Sequence, residues 1–175
     1  MEFKFWLLNE SSLDDLYQSA VAAFPGTTRR QHATQPIEIS NLRWTPFVGM
    51  RTLMVKAVAR NEDREYTPFI VFKNVQYHNV RDIYGLVEIT ASDGAQYLFE
   101  RLSVAENDVL VRCNCGDFYW RFNYYDHVDR SLYGRKRRPY EALFNPGSAN
   151  PQEMPGMCKH LMKFAEVLGH SGIIE

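Results

Sequence analysis

The stretch "VRCNCGDFYW", residues 111–120, decides how this chain is put together. It opens as the end of a strand and runs through a glycine into a dense aromatic segment. Cys113 and Cys115 lie one residue apart at that change of character. In an extended segment, residues two apart face the same side, so both thiols point one way and Asn114 the other. Gly116 allows a sharp turn directly after them. The only other cysteine, Cys158, stands in "GMCKHLMKF" with His160 two positions on, and 42 residues (116–157) separate the two pairs.

A tetrahedral metal site needs four soft or borderline donors, and Cys113, Cys115, Cys158 and His160 are such a set. Two residues apart is too much rotation for Cys158 and His160 to converge from mid-helix. They can converge if Cys158 lies in the approach to a helix and His160 in its first turn, which Pro155-Gly156 and the helical run after 160 predict. The plain alternative is three buried thiols and an incidental histidine, since cysteine is among the most buried residue types. Two tight pairs, each at an element boundary, argue for ligation. Zinc is the expected metal, and an iron–sulfur cluster is the alternative that this donor set leaves open.

Upstream, "EFKFWLL" (2–8) reads as a first strand. "NESSLDDLYQSAVAAFPG" reads as a helix capped by Ser11 or Ser12, with Asp14 and Asp15 favoured by the dipole of its first turn. Leu13, Leu16, Tyr17, Ala20 and Phe24 give it one apolar stripe, and Pro25-Gly26 ends it. "TTRRQHATQP" (27–36) reads as a mobile basic arm, with Arg29, Arg30 and His32 as candidate partner contacts. From 37 to 112, short runs rich in Val, Ile, Tyr and Phe predict strands: "IEISNLRW", "RTLMVKAVAR", "YTPFIVFKNVQY", "GLVEITA", "AQYLFERL" and "DVLVRC". Ser92-Asp93-Gly94 predicts a hairpin turn, and "AENDV" a second turn.

Downstream, residues 116–157 read as a long ordered loop pinned at both ends, before a closing helix with Leu161, Ala165 and Leu168 on one face and Gly169 as its stop. The segment "FYWRFNYYDHVD" holds six aromatics in its first eight residues. Either it is an interface centre, where Tyr, Trp and Arg dominate, or it is a core strand. Arg135, Lys136, Arg137 and Arg138, flanked by Tyr133 and Tyr140, can grip phosphates with the tyrosines stacking on bases, or meet carboxylates of a neighbouring subunit. Trp120 and Tyr124 complete the candidate contact set. His127 reads as a surface histidine rather than a substitute ligand, and His170 as solvent-facing.

These segments predict an α+β fold: a mainly antiparallel sheet with an N-terminal and a C-terminal helix and a metal-clamped long insert. The expected division is a β-rich core domain at 1–112 and a metal-binding region at 113–175. With 175 residues, 45% apolar and 23% charged, composition is that of a soluble globular protein. A net charge of −1 gives no global pull toward nucleic acid or anionic membrane. No run approaches the ~20 apolar residues of a membrane span, and the N-terminal apolar run is too short for a signal-peptide core, so cytoplasmic synthesis is expected. There is no phosphate loop, H-E-x-x-H or G-x-S-x-G motif, and four protein donors leave a metal no open position. The expectation is therefore not an enzyme and no small-molecule substrate.

The spacing C-x-C, long insert, C-x-H resembles the SWIM-type zinc finger, and "CNC…CKH" matches it position for position over residues 113–160. That resemblance implies a structural zinc and, in the family, DNA binding or protein–protein contact. The insert, with its aromatic run, "YGRKRRPY" and Asn/Pro-rich lead into "PGMCKHL", is similar to small structural proteins of tailed bacteriophages. This second resemblance implies a tail, baseplate or neck component of a virion, partnered by other protein subunits. Nucleic acid is the alternative partner.

Overall fold

The computed structural model describes residues 10–24, 36–81, 83–138 and 149–175. The strand read at 2–8, Arg29, Arg30, His32 and Tyr140 lie outside the described residues.

Helix α1 (Leu13–Ala23) starts at Ser12, whose hydroxyl accepts from Asp15 N–H while the Asp15 carboxylate accepts from Ser12 N–H. This reciprocal cap satisfies donors that the first turn would otherwise leave orphaned. Leu13, Leu16, Ala20 and Ala23 are buried. Tyr17, expected in the same stripe, is instead 42% exposed. It lies on the side of the helix away from the buried Leu13–Leu16–Ala20 line.

Among the described residues eight strands follow: β1 (Glu38–Phe47), β2 (Thr52–Asn61), β3 (Arg64–Tyr66), β4 (Phe69–Phe72), β5 (Tyr77–His78), β6 (Leu86–Thr90), β7 (Gln96–Glu100) and β8 (Val109–Arg112). All pairings between them are antiparallel. One sheet runs β1-β2-β4-β8 with β3 beside β2, and a smaller one runs β5-β7-β6. The single run expected at "YTPFIVFKNVQY" is thus broken into pieces of β3, β4 and β5, which divide between the two sheets. The 92–94 turn forms as expected: Gly94 takes φ +83°, and Asp93 accepts from Ala95 N–H at 2.9 Å.

β2 alternates buried Leu53, Val55, Ala57 and Ala59 with part-exposed residues, so one face of the large sheet is the core face. Against it pack α1, the helical start of the insert, and the closing helix α3 (Lys159–Gly169). Leu16, Phe72, Phe99, Phe118, Phe122 and Phe164 belong to one buried cluster.

The aromatic run is helical, neither a strand nor an extended loop. A π-helical turn at Phe118–Phe122 leads into α2 (Asn123–Asp129). Helical rotation buries Phe118, Phe122 and Tyr125 and leaves Tyr119 and Trp120 exposed; an alternating strand cannot produce that split. After α2 the chain returns beside β8, where Val111 N–H donates to Ser131 O and Tyr133 N–H to Val111 O.

A buried carboxyl pins the far end of the insert. Asp126 is fully buried, and its Oδ1 accepts from Gly156 N–H at 2.7 Å. Gly156 is packed so closely that an added Cβ would lie 2.7 Å from the Phe122 ring and 2.8 Å from Ala20 Cβ.

Two outcomes are expected. Ser12→Ala removes the reciprocal cap, costing about 1 kcal/mol and lowering the melting temperature by about 2–4 °C for a chain of this size. Burial holds the Asp126 carboxyl well above the ordinary carboxylate range. The folded state therefore keeps a proton that the unfolded chain releases near pH 4, and stability falls as pH rises from there toward the folded pKa. Asp126→Asn removes that dependence, so melting curves should show the variant gaining on the wild type as pH rises. A constant gap would contradict it.

Candidate metal centre

Each half of the site forms where the chain switches from extended to helical. β8 ends at Arg112, and Cys113, Asn114 and Cys115 follow as a knuckle. Asn114 points outward, as read from the sequence, and its side-chain oxygen accepts from Thr67 N–H at 2.8 Å, fastening the knuckle to the loop after β3. The Cys115 carbonyl accepts from Tyr119 N–H at 3.1 Å, and its Sγ accepts from Phe118 N–H at 3.3 Å. In the other half, Cys158 is the N-cap of α3, in extended conformation. Its carbonyl accepts from Met162 N–H at 3.0 Å, and His160 sits in the first turn.

The donor atoms of Cys113, Cys115, Cys158 and His160 lie within 4.8 Å of one another, and all four residues are buried. His160 Nδ1 is 3.9 Å from Cys113 Sγ and 4.0 Å from Cys158 Sγ. Metal–ligand bonds of 2.0–2.3 Å in a tetrahedron space the corners by about 3.5–3.8 Å, so the cluster is of the size that one ion closes. No disulfide competes, as all three thiols are free. The cluster could hold a metal ion, and its donor chemistry is compatible with zinc.

The electrostatics favour an anionic centre. Two helical segments begin just after Cys115 and Cys158, placing the positive ends of their dipoles at the site, and Phe118 N–H donates to Cys115 Sγ. Three thiolates and one imidazole around a divalent ion would leave one net negative charge, which the two helix N-termini favour. Cys115 is pulled far below the usual thiol range by S–H donation from Cys113 and Cys158. Cys113 is pushed up chiefly by holding that bond to Cys115, and Cys158 chiefly by burial. Ligation requires the thiols as thiolates, so metal binding would release protons from the site.

Nothing in the sequence marked Tyr66 as part of this site. Its ring lies against the His160 imidazole, with centroids 4.3 Å apart. An aromatic two residues from a β-turn is too common a pattern to single out; only the fold brings β3 over α3. Asp117 is an acidic neighbour, interacting electrostatically with Cys115 and His160. Burial raises its carboxyl, and an ion pair to Arg121 at 2.9 Å offsets part of this.

The other candidates divide. Arg135, Lys136 and Arg138 are exposed, whereas Arg137 is partly buried, its guanidinium lying over the Tyr119 ring and 4.4 Å from the Trp120 centroid. Arg137 is therefore already engaged within the molecule. Tyr133 stacks on Phe69 with centroids 5.6 Å apart, and Tyr124 packs edge-on against Tyr125, so neither ring is a free stacking platform. His127 is exposed on α2 and lies outside the four-donor cluster, and His170 is exposed as read.

No protein-family model matches this chain, and no curated protein or solved structure matches it. The likeness to the SWIM finger rests on the four ligand positions and their spacing. Among the described residues, no helix is long and apolar enough to cross a membrane.

Metal-loaded protein should show no fast reaction with a thiol reagent, its three cysteines being buried. After chelation all three should react. Cys158→Ser should abolish stoichiometric metal binding and open the insert to proteolysis; an unchanged digestion pattern would count against the clamp.

Proposed function

We propose that this is a non-enzymatic structural or assembly protein in which zinc fixes a long insert as an interaction surface. The observation that carries this reading is the buried cluster of four protein donors joining the end of β8 to the start of α3. Four such donors complete a tetrahedron and leave no coordination position for substrate. The resemblance of the insert to small tailed-phage proteins supports a specific version: a virion component of tail, baseplate or neck, meeting other protein subunits.

The exposure of Arg135, Lys136 and Arg138 favours a second reading, a nucleic-acid-binding module of the SWIM type. Both readings need the metal, so metal content tests what they share. Elemental analysis of protein expressed without added metal should give one equivalent of zinc in a colourless solution. Iron with sulfide and visible absorption would replace zinc by a cluster and reopen a redox role. Phosphate binding falls steeply with ionic strength in proportion to the phosphates contacted, so a contact that does not respond to salt would exclude the second reading.

A further inference from the structure

We infer that residues 135–138 form a rigid cationic strap that docks an acidic, extended protein segment; this rests on the insert being the interaction surface. The strap is held at three places. Arg112 donates from Nη1 to the backbone oxygens of both Tyr133 and Arg135, each at 3.1 Å. Asn123 Oδ1 accepts from Arg137 N–H at 2.8 Å. The Arg137 side chain covers Tyr119 and reaches Trp120. Gly134 takes φ +85°, and an added Cβ there would meet Arg112 Nη1 at 3.2 Å, so the approach to the strap is fixed too.

Pinning a chain before it binds removes an ordering cost from association. What the pinned chain displays is charge. Arg135, Lys136 and Arg138 are exposed, and among the described residues none of them pairs with a carboxylate. Three exposed cations within four residues offer charge-assisted partners to the carboxylates of an acidic segment. Half-exposed Trp120 and Tyr119 lie beside them, giving the Arg–Trp–Tyr composition of protein-binding centres.

One feature favours protein over nucleic acid. Among the described residues, one face of the Tyr119 ring carries Arg137 and one face of the Tyr133 ring stacks on Phe69, which leaves fewer ring faces on which successive bases could stack.

The test uses the zinc-loaded full chain and two labelled probes, a ten-residue poly-glutamate peptide and a ten-nucleotide oligothymidylate, in fluorescence anisotropy at low salt. Poly-glutamate should bind more tightly. Lys136→Glu/Arg138→Glu should weaken it by at least about tenfold at unchanged zinc content, and Gly134→Ala should weaken it by displacing the strap. Tighter binding of the oligonucleotide would overturn the inference in favour of a nucleic-acid interface. No binding of poly-glutamate would overturn it as well. If zinc and protease resistance are intact in that case, the clamped-insert reading stands; loss of both would show that the clamp itself had failed.

Discussion

The contact on which the rest of this molecule depends is the meeting of four donor side chains between the end of β8 and the start of α3. Backbone pairing already orders the strands, and apolar burial already orders the core. Neither explains why an insert of 42 residues should leave the sheet and return to one point. The conformational entropy of closing such a loop grows slowly with its length, while structural zinc binding contributes on the order of 10 kcal/mol in small peptides. That is comparable with the whole net stability of a typical domain. The ion would therefore add to the burial of Leu161, Phe164 and Leu168 in holding the closing helix on the sheet.

The clamp does not act alone. Phe118 and Phe122 bury the first helical turn of the insert into the common core. The Asp126–Gly156 bond, inside a pocket with no room for a Cβ, brings the returning chain to Cys158. Fully burying a carboxyl is costly, and the return on that cost is positional: one acceptor oxygen fixes the backbone two residues before a ligand. Two helical segments then begin at two of the sulfurs, so the segments that position the donors also supply the partial positive charge that an anionic metal centre needs.

Much of this was legible in the sequence, for identifiable reasons. The four-donor cluster could be read because one-residue spacing at a boundary between elements is rare by chance and has few other uses. The α+β class, the N-terminal cap of α1, the start of α3 after Cys158 and the 92–94 turn followed from local chemistry. The aromatic run was illegible in its secondary structure because six aromatics in eight residues satisfy strand and helix patterns alike; tertiary packing chose the helix. The basic run could be seen as charge but not as geometry. That Arg137 belongs to Tyr119 and Trp120 while its neighbours face outward depends on where the π-helical turn places those rings. Tyr66 and Arg112 carry no local signal, since each acts on a partner remote in sequence.

The anchoring of the knuckle has a different kind of consequence. Asn114 is tied to Thr67, and His160 lies against Tyr66, so both halves of the centre are referenced to the same short hairpin of β2 and β3. The ligand geometry is set by that hairpin and by two helix starts, and not by the number of residues that travel between them. Exposed positions of the insert among the described residues, such as His127 and Val128 on α2, are thereby released from any duty to the metal, and their chemistry can change while the frame that carries them stays the same.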